Sequence, residues 1–260
     1  MAQVIYIGSY KGGVGKSTTS LELAASLSMR KKRVLVIDLD ETADCTELLT
    51  GTEDHPKGGI YELLTEKGRT LESVIVKASS AWGNILLVPG DSRSADIAMK
   101  LSSTSIVSRE TILKRKLAPY LEAFDVVIID TPPGLNIINM NALVASTHYL
   151  IVSKVSSLDI KKINSLRSFV KELEQAFNHK VKEIGVLMTS IHKMHSNAFK
   201  KTLELTKKEI GSSKLLEDFF ISDTSSVLDA QLSKEPHVVK YPNSTASIAY
   251  NALSKHILKM

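Results

Sequence analysis

The feature that most constrains this chain is a glycine-rich run directly behind its first apolar segment. Val4-Ile5-Tyr6-Ile7 leads into Ser9-Tyr10-Lys11-Gly12-Gly13-Val14-Gly15-Lys16-Ser17-Thr18, and a helix-like stretch follows to Arg30. The glycines let the backbone wrap tightly and turn its N–H groups toward one point. Lys16 can then meet the β- and γ-phosphates of a nucleoside triphosphate, and the Ser17 hydroxyl can hold Mg²⁺. The helix behind the loop aims its N-terminal dipole at the same anion. Thr18, at its start, is placed to donate to the α-phosphate. A glycine-rich turn that happens to contain lysine is the bland alternative, and the strand before and helix after argue against it.

Short β-branched runs recur after this point: Val34–Ile37, Ile85–Val88, Val126–Ile129, Leu150–Val152 and Ile184–Met188, with Phe219-Phe220-Ile221 as a further candidate strand. Continuous apolar runs of this length suit strands buried on both faces. Between them, Thr18–Arg30 and Leu158–Phe177 carry apolar residues at helical spacing. Strand alternating with helix predicts a three-layer α/β fold, a mainly parallel twisted sheet with helices on both faces. No Pro/Gly/Ser-rich linker, low-complexity stretch or internal repeat divides the sequence, so one domain over residues 1–260 is expected. Ligands of such sheets bind beyond the carboxyl ends of the strands. Three strand ends here are conspicuously polar: Ser9–Thr18, Asp38–Asp40 and Asp130–Gly134.

The second strand closes as Asp38-Leu39-Asp40, and strand alternation puts the two aspartates on one side. Beside a phosphate cradle they can act on Mg²⁺ and on attacking water; they can also cap the helix-like Glu41–Leu49. Phe124–Gly134 reads as another apolar strand ending in Asp130-Thr131-Pro132-Pro133-Gly134. Asp130 suits a Mg²⁺ ligand acting through water, since this ion keeps several of its waters. The prolines stiffen the exit turn, and Gly134 permits backbone movement when a γ-phosphate departs.

Composition narrows the setting. The 260 residues are 43% hydrophobic and 23% charged, enough for a core without disulfides or structural metal. Cys45 is the single cysteine, which excludes an internal disulfide and suits a reducing cytoplasm. The start of the chain has no basic n-region, and no apolar run reaches the roughly 18 residues of a membrane span. A net charge of +5 is compatible with an anionic partner and equally with a lysine-rich solvated surface.

Lys-Gly-Gly-Val-Gly-Lys-Ser-Thr resembles the deviant Walker motif of the ParA/MinD/nitrogenase-iron-protein superfamily of P-loop ATPases. Tyr10 stands where the common P-loop has glycine, and Asp130-Thr131-Pro132-Pro133 is similar to the family's switch. The three motifs lie in the expected order over most of the first 150 residues. The resemblance implies an ATPase that uses ATP and Mg²⁺. Lys16 would be the lysine acting in cis, and Lys11 would reach across an ATP-bound homodimer to the partner's phosphates. Asp40 would orient the hydrolytic water, with Asp38 supporting the loop or serving as a further metal ligand beside Ser17 and Asp130. Nucleotide contacts would run from Lys11 through Gly12, Gly13, Val14, Gly15, Lys16, Ser17 and Thr18. Adenine would lie around Thr189-Ser190 and Ile221–Thr224.

Within the superfamily, one cysteine does not match the cluster ligands of the nitrogenase iron protein. Tyr250, Leu253, Ile257 and Leu258 suit a terminal helix packed on the core, and no MinD-like membrane helix follows. The short ParA form, without a preceding helix-turn-helix region, is the nearest resemblance, through Asn141-Ala142-Leu143, Gly185–Thr189 and Tyr241–Ala246 with Tyr250. It implies a cytoplasmic partition ATPase, nucleoid-associated when ATP-bound, that binds DNA non-specifically as a dimer and is reset by a ParB-like centromere-binding protein. Two departures matter. Glu41-Thr42-Ala43 replaces the family's Asp-Pro-Gln-Gly, and no arginine stands in His192–His195 or Ile221–Ser226. DNA contacts would therefore fall to Lys193, Lys200, Lys201, Lys207 and Lys208, with Lys161 and Lys162 as a second group. Lysines grip phosphate as mobile point charges, giving salt-sensitive, sequence-tolerant binding; a solvated basic helix face reads equally well. An ATP-switched regulatory or scaffolding protein and a MinD-like membrane-associated regulator stay open as alternatives. His192 and His195 read as a chance pair, Cys45 as packed, and Trp82 as cover for a strand start.

Overall fold

The computed structural model describes residues 2–52, 55–103, 109–154, 157–191 and 197–260. Its apolar runs form β1 (Gln3–Gly8), β2 (Val34–Asp38), β3 (Val76–Lys77), β4 (Ile85–Val88), β5 (Val126–Asp130), β6 (His148–Lys154) and β7 (Lys182–Thr189). They lie in one sheet in the order β3-β4-β2-β5-β1-β6-β7. Every pairing is parallel except β3 on β4. β2 and β5 are buried at every position, as unbroken apolar runs at the centre of a parallel sheet require.

The pleat sends alternate residues to opposite faces, and each face meets helices. Val4, Tyr6, Leu35, Ile37, Val127 and Ile129 pack with residues of helices Ile60–Thr65, Ile137–Ala145 and Ser157–Phe177. Ile5, Ile7, Val34, Val36, Val126 and Ile128 pack with helices Lys16–Met29 and Thr245–Ile257. The three-layer α/β architecture is thus the one the alternating pattern predicts. Two expectations need correction. Phe219-Phe220-Ile221 is not a strand: Glu217–Phe219 forms a 3₁₀ turn, and only Ser222 bridges to Ile191. The segment after Asp40 becomes helical only at Asp44–Thr50, behind a left-handed Ala43. The short antiparallel β3, at the end of Val74-Ile75-Val76, was not foreseen.

Helix Lys16–Met29 is covered on nearly all sides, and its polar residues find partners in the last part of the chain. The Thr19 and Tyr250 hydroxyls lie 3.3 Å apart. Arg30, just beyond the helix, donates to the Asn251 carbonyl and the Ser254 hydroxyl. The buried Glu22 carboxylate accepts the N–H groups of His237 and Val238, both at 2.9 Å. These are unpaired donors at the start of helix His237–Lys240. The carboxylate answers an electrostatic need there, yet burial still pushes its pKa up to about 7. The unfolded chain releases this proton near pH 4.5, whereas the folded protein holds it until about 7. Glu22 therefore contributes less stability as pH rises through that window, and nothing further changes outside it. Relative to Glu22→Gln, the wild-type chain should lose on the order of 3 kcal/mol between these pH values. Urea unfolding at stepped pH measures this, and a constant difference between the two proteins would contradict it.

Candidate active site

The loop from Ser9 to Lys16 is shaped by bonds that turn carbonyls inward. Ser9 Oγ donates to the Lys11 carbonyl at 2.6 Å, and Thr189 Oγ1 donates to the Val14 carbonyl at 2.6 Å. Across a trans peptide, a carbonyl and the next N–H point in opposite directions. The N–H groups of Gly12 and Gly15 are therefore directed away from Ser9 and Thr189. Gly13 and Gly15 sit at φ 66° and 88°, in the left-handed region that glycine occupies without strain. Lys16 opens the following helix and is only 5% exposed. The Gly134 N–H donates to the Ser9 carbonyl at 3.3 Å, and the Thr131 hydroxyl donates to the Ile7 carbonyl at 2.8 Å. The segment leaving β5 is thus tied to the loop leaving β1.

Two carboxylates lie beneath this loop. Asp38 and Asp130 end the adjacent strands β2 and β5 in register, and both are fully buried. Asp130 accepts from Ser20 Oγ at 2.8 Å and from Cys45 Sγ at 3.4 Å, and it also bonds the Ser17 hydroxyl. Asp38 accepts from Thr46 N at 2.9 Å, from Thr46 Oγ1 at 2.7 Å and from the Asp40 N–H at 3.3 Å. Burial, aided by the Asp130 charge, pushes Asp38 up to about 8. Burial raises Asp130 as well, against the pull of the Ser17 and Ser20 hydroxyls and the Lys16 charge. A cation among these groups would let both carboxylates ionise. Hydroxyl and carboxylate oxygens are the hard donors Mg²⁺ selects. Among the described residues no cluster of three or more His, Cys, Asp or Glu is arranged for a metal.

Asp38 is largely committed to the first turn of helix Asp44–Thr50, so its geometry is that of a capping and loop-holding group. Asp40 is 7% exposed and accepts from the Thr42 N–H at 3.2 Å. A fourth strand end, unread in the sequence, completes the arrangement. A Cβ on Gly90, just beyond β4, would fall 2.9 Å from the Asp38 carbonyl and 3.2 Å from that of Asp40. Its N–H donates to Thr46 Oγ1 at 2.8 Å. The Pro89-Gly90 turn after an apolar run was the available signal. Thr46, Ser20 and Cys45 were missed because nothing in their spacing shows that they approach these carboxylates.

The other expected residues are dispersed. Thr189 is drawn to the loop through Val14, and Ile221 runs beside the end of β7, its N–H donating to the Met188 carbonyl at 2.9 Å. Tyr10 is 43% exposed, with Lys162 Nζ 5.2 Å from its ring centroid. Lys200, Lys201 and Lys208 are exposed on helix Asn197–Ile210, along with Glu204 and Glu209. Lys207 pairs with Glu217 at 3.0 Å and Glu204 at 3.4 Å. Lys193, His192 and His195 lie outside the described residues. Cys45 is fully buried, and Trp82 covers the approach to β4 with Nε1 donating to the Lys234 carbonyl.

Thr46 holds both Asp38 and the Gly90 N–H from a fully buried position. Thr46→Val should cost about 1–3 kcal/mol in chemical denaturation by stranding the Gly90 donor, while Thr46→Ser should recover most of that loss. A loss in Thr46→Ser with none in Thr46→Val would show that the methyl, not the hydroxyl, matters.

The family model described as an AAA domain matches residues 2–183. Sporulation initiation inhibitor protein Soj of Bacillus subtilis is 31% identical over 74% of this chain and 74% of its own length. Among solved structures, apo McdA of Cyanthece aligns with a TM-score of 0.85 at 21% identity, covering 99% of this chain and 100% of that one. A plasmid partition protein of Borrelia burgdorferi bound to AMPPNP aligns at 0.82 and 22%, covering 100% and 99%. The structural likenesses establish the fold. The family match goes further, since residues 2–183 include the loop, both aspartate strand ends and strands β1 to β6. The chain belongs to the AAA-domain family of ParA- and Soj-type P-loop ATPases.

Proposed function

We propose that this chain is a ParA-type partition ATPase in which Mg-ATP binding at Lys11–Thr18 drives dimerisation and hydrolysis reverses it. The observation that carries this reading is the pairing of an amide-presenting loop with the buried carboxylates directly beneath it. Loop amides and Lys16 neutralise the phosphates, while the Ser17 hydroxyl and Asp130, through water, hold Mg²⁺. The ion supplies charge neutralisation for the β- and γ-phosphate oxygens. Asp38 fixes the turn that carries Asp40, and Asp40 orients the attacking water. Lys11, half-buried beside the exposed Gly12 and Gly13, serves the nucleotide of a second copy. Thr189 and Ile221 border the adenine side. Similarity to a plasmid partition protein that binds AMPPNP supports the nucleotide and the partition role.

In this reading the ATP-bound dimer holds DNA through Lys200, Lys201 and Lys208, and a ParB-like protein accelerates its release. A second reading, an ATP-switched regulator of other cell machinery, is favoured by similarity to the sporulation initiation inhibitor protein of Bacillus subtilis.

Equilibrium dialysis tests the site: Lys16→Ala should abolish retention of Mg-ATP. Asp40→Ala should retain it while turnover falls on the order of 100-fold or more. Unchanged retention in Lys16→Ala would overturn the assignment. Gly90→Ala should displace the Asp38–Asp40 turn and lower turnover about 10- to 100-fold with little change in ATP affinity. DNA binding by Asp40→Ala should require ATP and weaken steeply with salt. Joint replacement of Lys200, Lys201 and Lys208 by alanine should reduce the log–log salt slope by roughly 2–3. An absence of ATP-dependent DNA binding would leave the regulatory reading ahead.

A further inference from the structure

Helix Ser225–Leu232 lies far along the chain from the phosphate loop, yet one of its side chains meets that loop's helix. Gln231 Nε2 donates to Thr18 Oγ1 at 3.3 Å. Among the described residues this is the one side-chain partner of the Thr18 hydroxyl. A hydroxyl has a single hydrogen and two acceptor positions. An amide N–H on one acceptor position leaves the hydrogen for a different group, which must be an acceptor. Thr18 stands in the first turn of helix Lys16–Met29, where unpaired N–H groups and the helix dipole already favour an anion.

We infer that Gln231 is a positioning residue for the bound nucleotide, orienting the Thr18 hydroxyl as a donor to the α-phosphate. The inference rests on the Mg-nucleotide reading of the loop and adds a residue from outside the sequence motifs. The helix is suited to this duty because its place does not depend on Gln231. Its start is capped by Thr224, whose side chain accepts from the Ser226 N–H. Ser226 Oγ lies 2.8 Å from His237 Nε2, and Asp229 bonds both Lys240 and the Tyr241 hydroxyl. Ala230 is the helix's buried residue, while Leu228 and Leu232 are 60% and 78% exposed. The helix is therefore fixed by its ends and by polar ties, and Gln231 is spare for the fold. Because the α-phosphate is common to ATP and ADP, the contact acts on both nucleotides equally.

The test is calorimetric titration of Mg-ATP and Mg-ADP into the full chain, Gln231→Ala, Gln231→Glu, Thr18→Ala and the Gln231→Ala/Thr18→Ala double variant. Gln231→Ala should weaken both nucleotides about five- to tenfold, the loss expected of one hydrogen bond. The double variant should bind no more weakly than Thr18→Ala. Gln231→Glu keeps the size but offers only acceptors, so it should capture the hydroxyl hydrogen and weaken binding further. The melting temperature without nucleotide should stay unchanged. The inference is overturned by affinity untouched in Gln231→Ala, by an equal loss in the Thr18→Ala background, by a loss confined to ATP, or by both Gln231 variants melting lower without nucleotide. Absence of nucleotide binding by the wild-type chain would instead overturn the reading of the loop, and this inference with it.

Discussion

Asp38 and Asp130 occupy the same level of adjacent buried strands, and the surrounding structure is organised by the need to satisfy them. A charge removed from water costs several kcal/mol unless hydrogen bonds or an opposite charge replace the lost solvation. Here the replacement comes from three directions. Ser17 and Ser20 arrive on the helix behind the phosphate loop, Cys45 and Thr46 on the next helix, and Lys16 contributes its charge from above. Each partner has to stay in place for the pair to be tolerated. The carboxylates thus pin the loop helix, helix Asp44–Thr50 and the turn carrying Asp40 to one another.

The same constraint explains the demand for glycine at position 90. Thr46 must approach Asp38 with both its N–H and its hydroxyl, and the hydroxyl in turn accepts the Gly90 N–H. That brings the backbone beyond β4 so close to the Asp38 and Asp40 carbonyls that a side chain at position 90 has no room. A strand contributing nothing chemical therefore sets the position of one that does. On the opposite side of the loop helix, Glu22 plays a comparable part. It accepts the free donors of helix His237–Lys240 and so joins the end of the chain to the element bearing the phosphate loop.

Much of the fold could be read from local pattern. β1, β2 and β5 carry unbroken apolar runs rich in β-branched residues, and a strand buried on both faces tolerates little else. The loop was legible for a related reason, since left-handed backbone at Gly13 and Gly15 needs glycine and phosphate needs lysine. β3 escaped because only two residues pair at a sheet edge, too few to leave a strand pattern. Phe219 and Phe220 misled because aromatic residues serve a packed turn as well as a strand. The lysines after β7 drew attention as a group, yet the spacing gave no sign that Glu217, from beyond the helix, pairs with Lys207.

What the sequence determined by itself was the chemistry that is contiguous in the chain: a glycine-rich loop feeding a helix, and aspartates at the ends of apolar strands. These depend on backbone conformation and on residues a few positions apart, so they are written in spacing. Tertiary structure alone decided which groups surround them. Thr189 under Val14, Gly90 against Asp38, and Gln231 on Thr18 join segments widely separated in sequence. Such contacts follow from strand order and helix packing, where the energy is dominated by non-directional burial of apolar surface. Many sequences can supply that burial, so it leaves no local mark to show which polar side chains it will bring together.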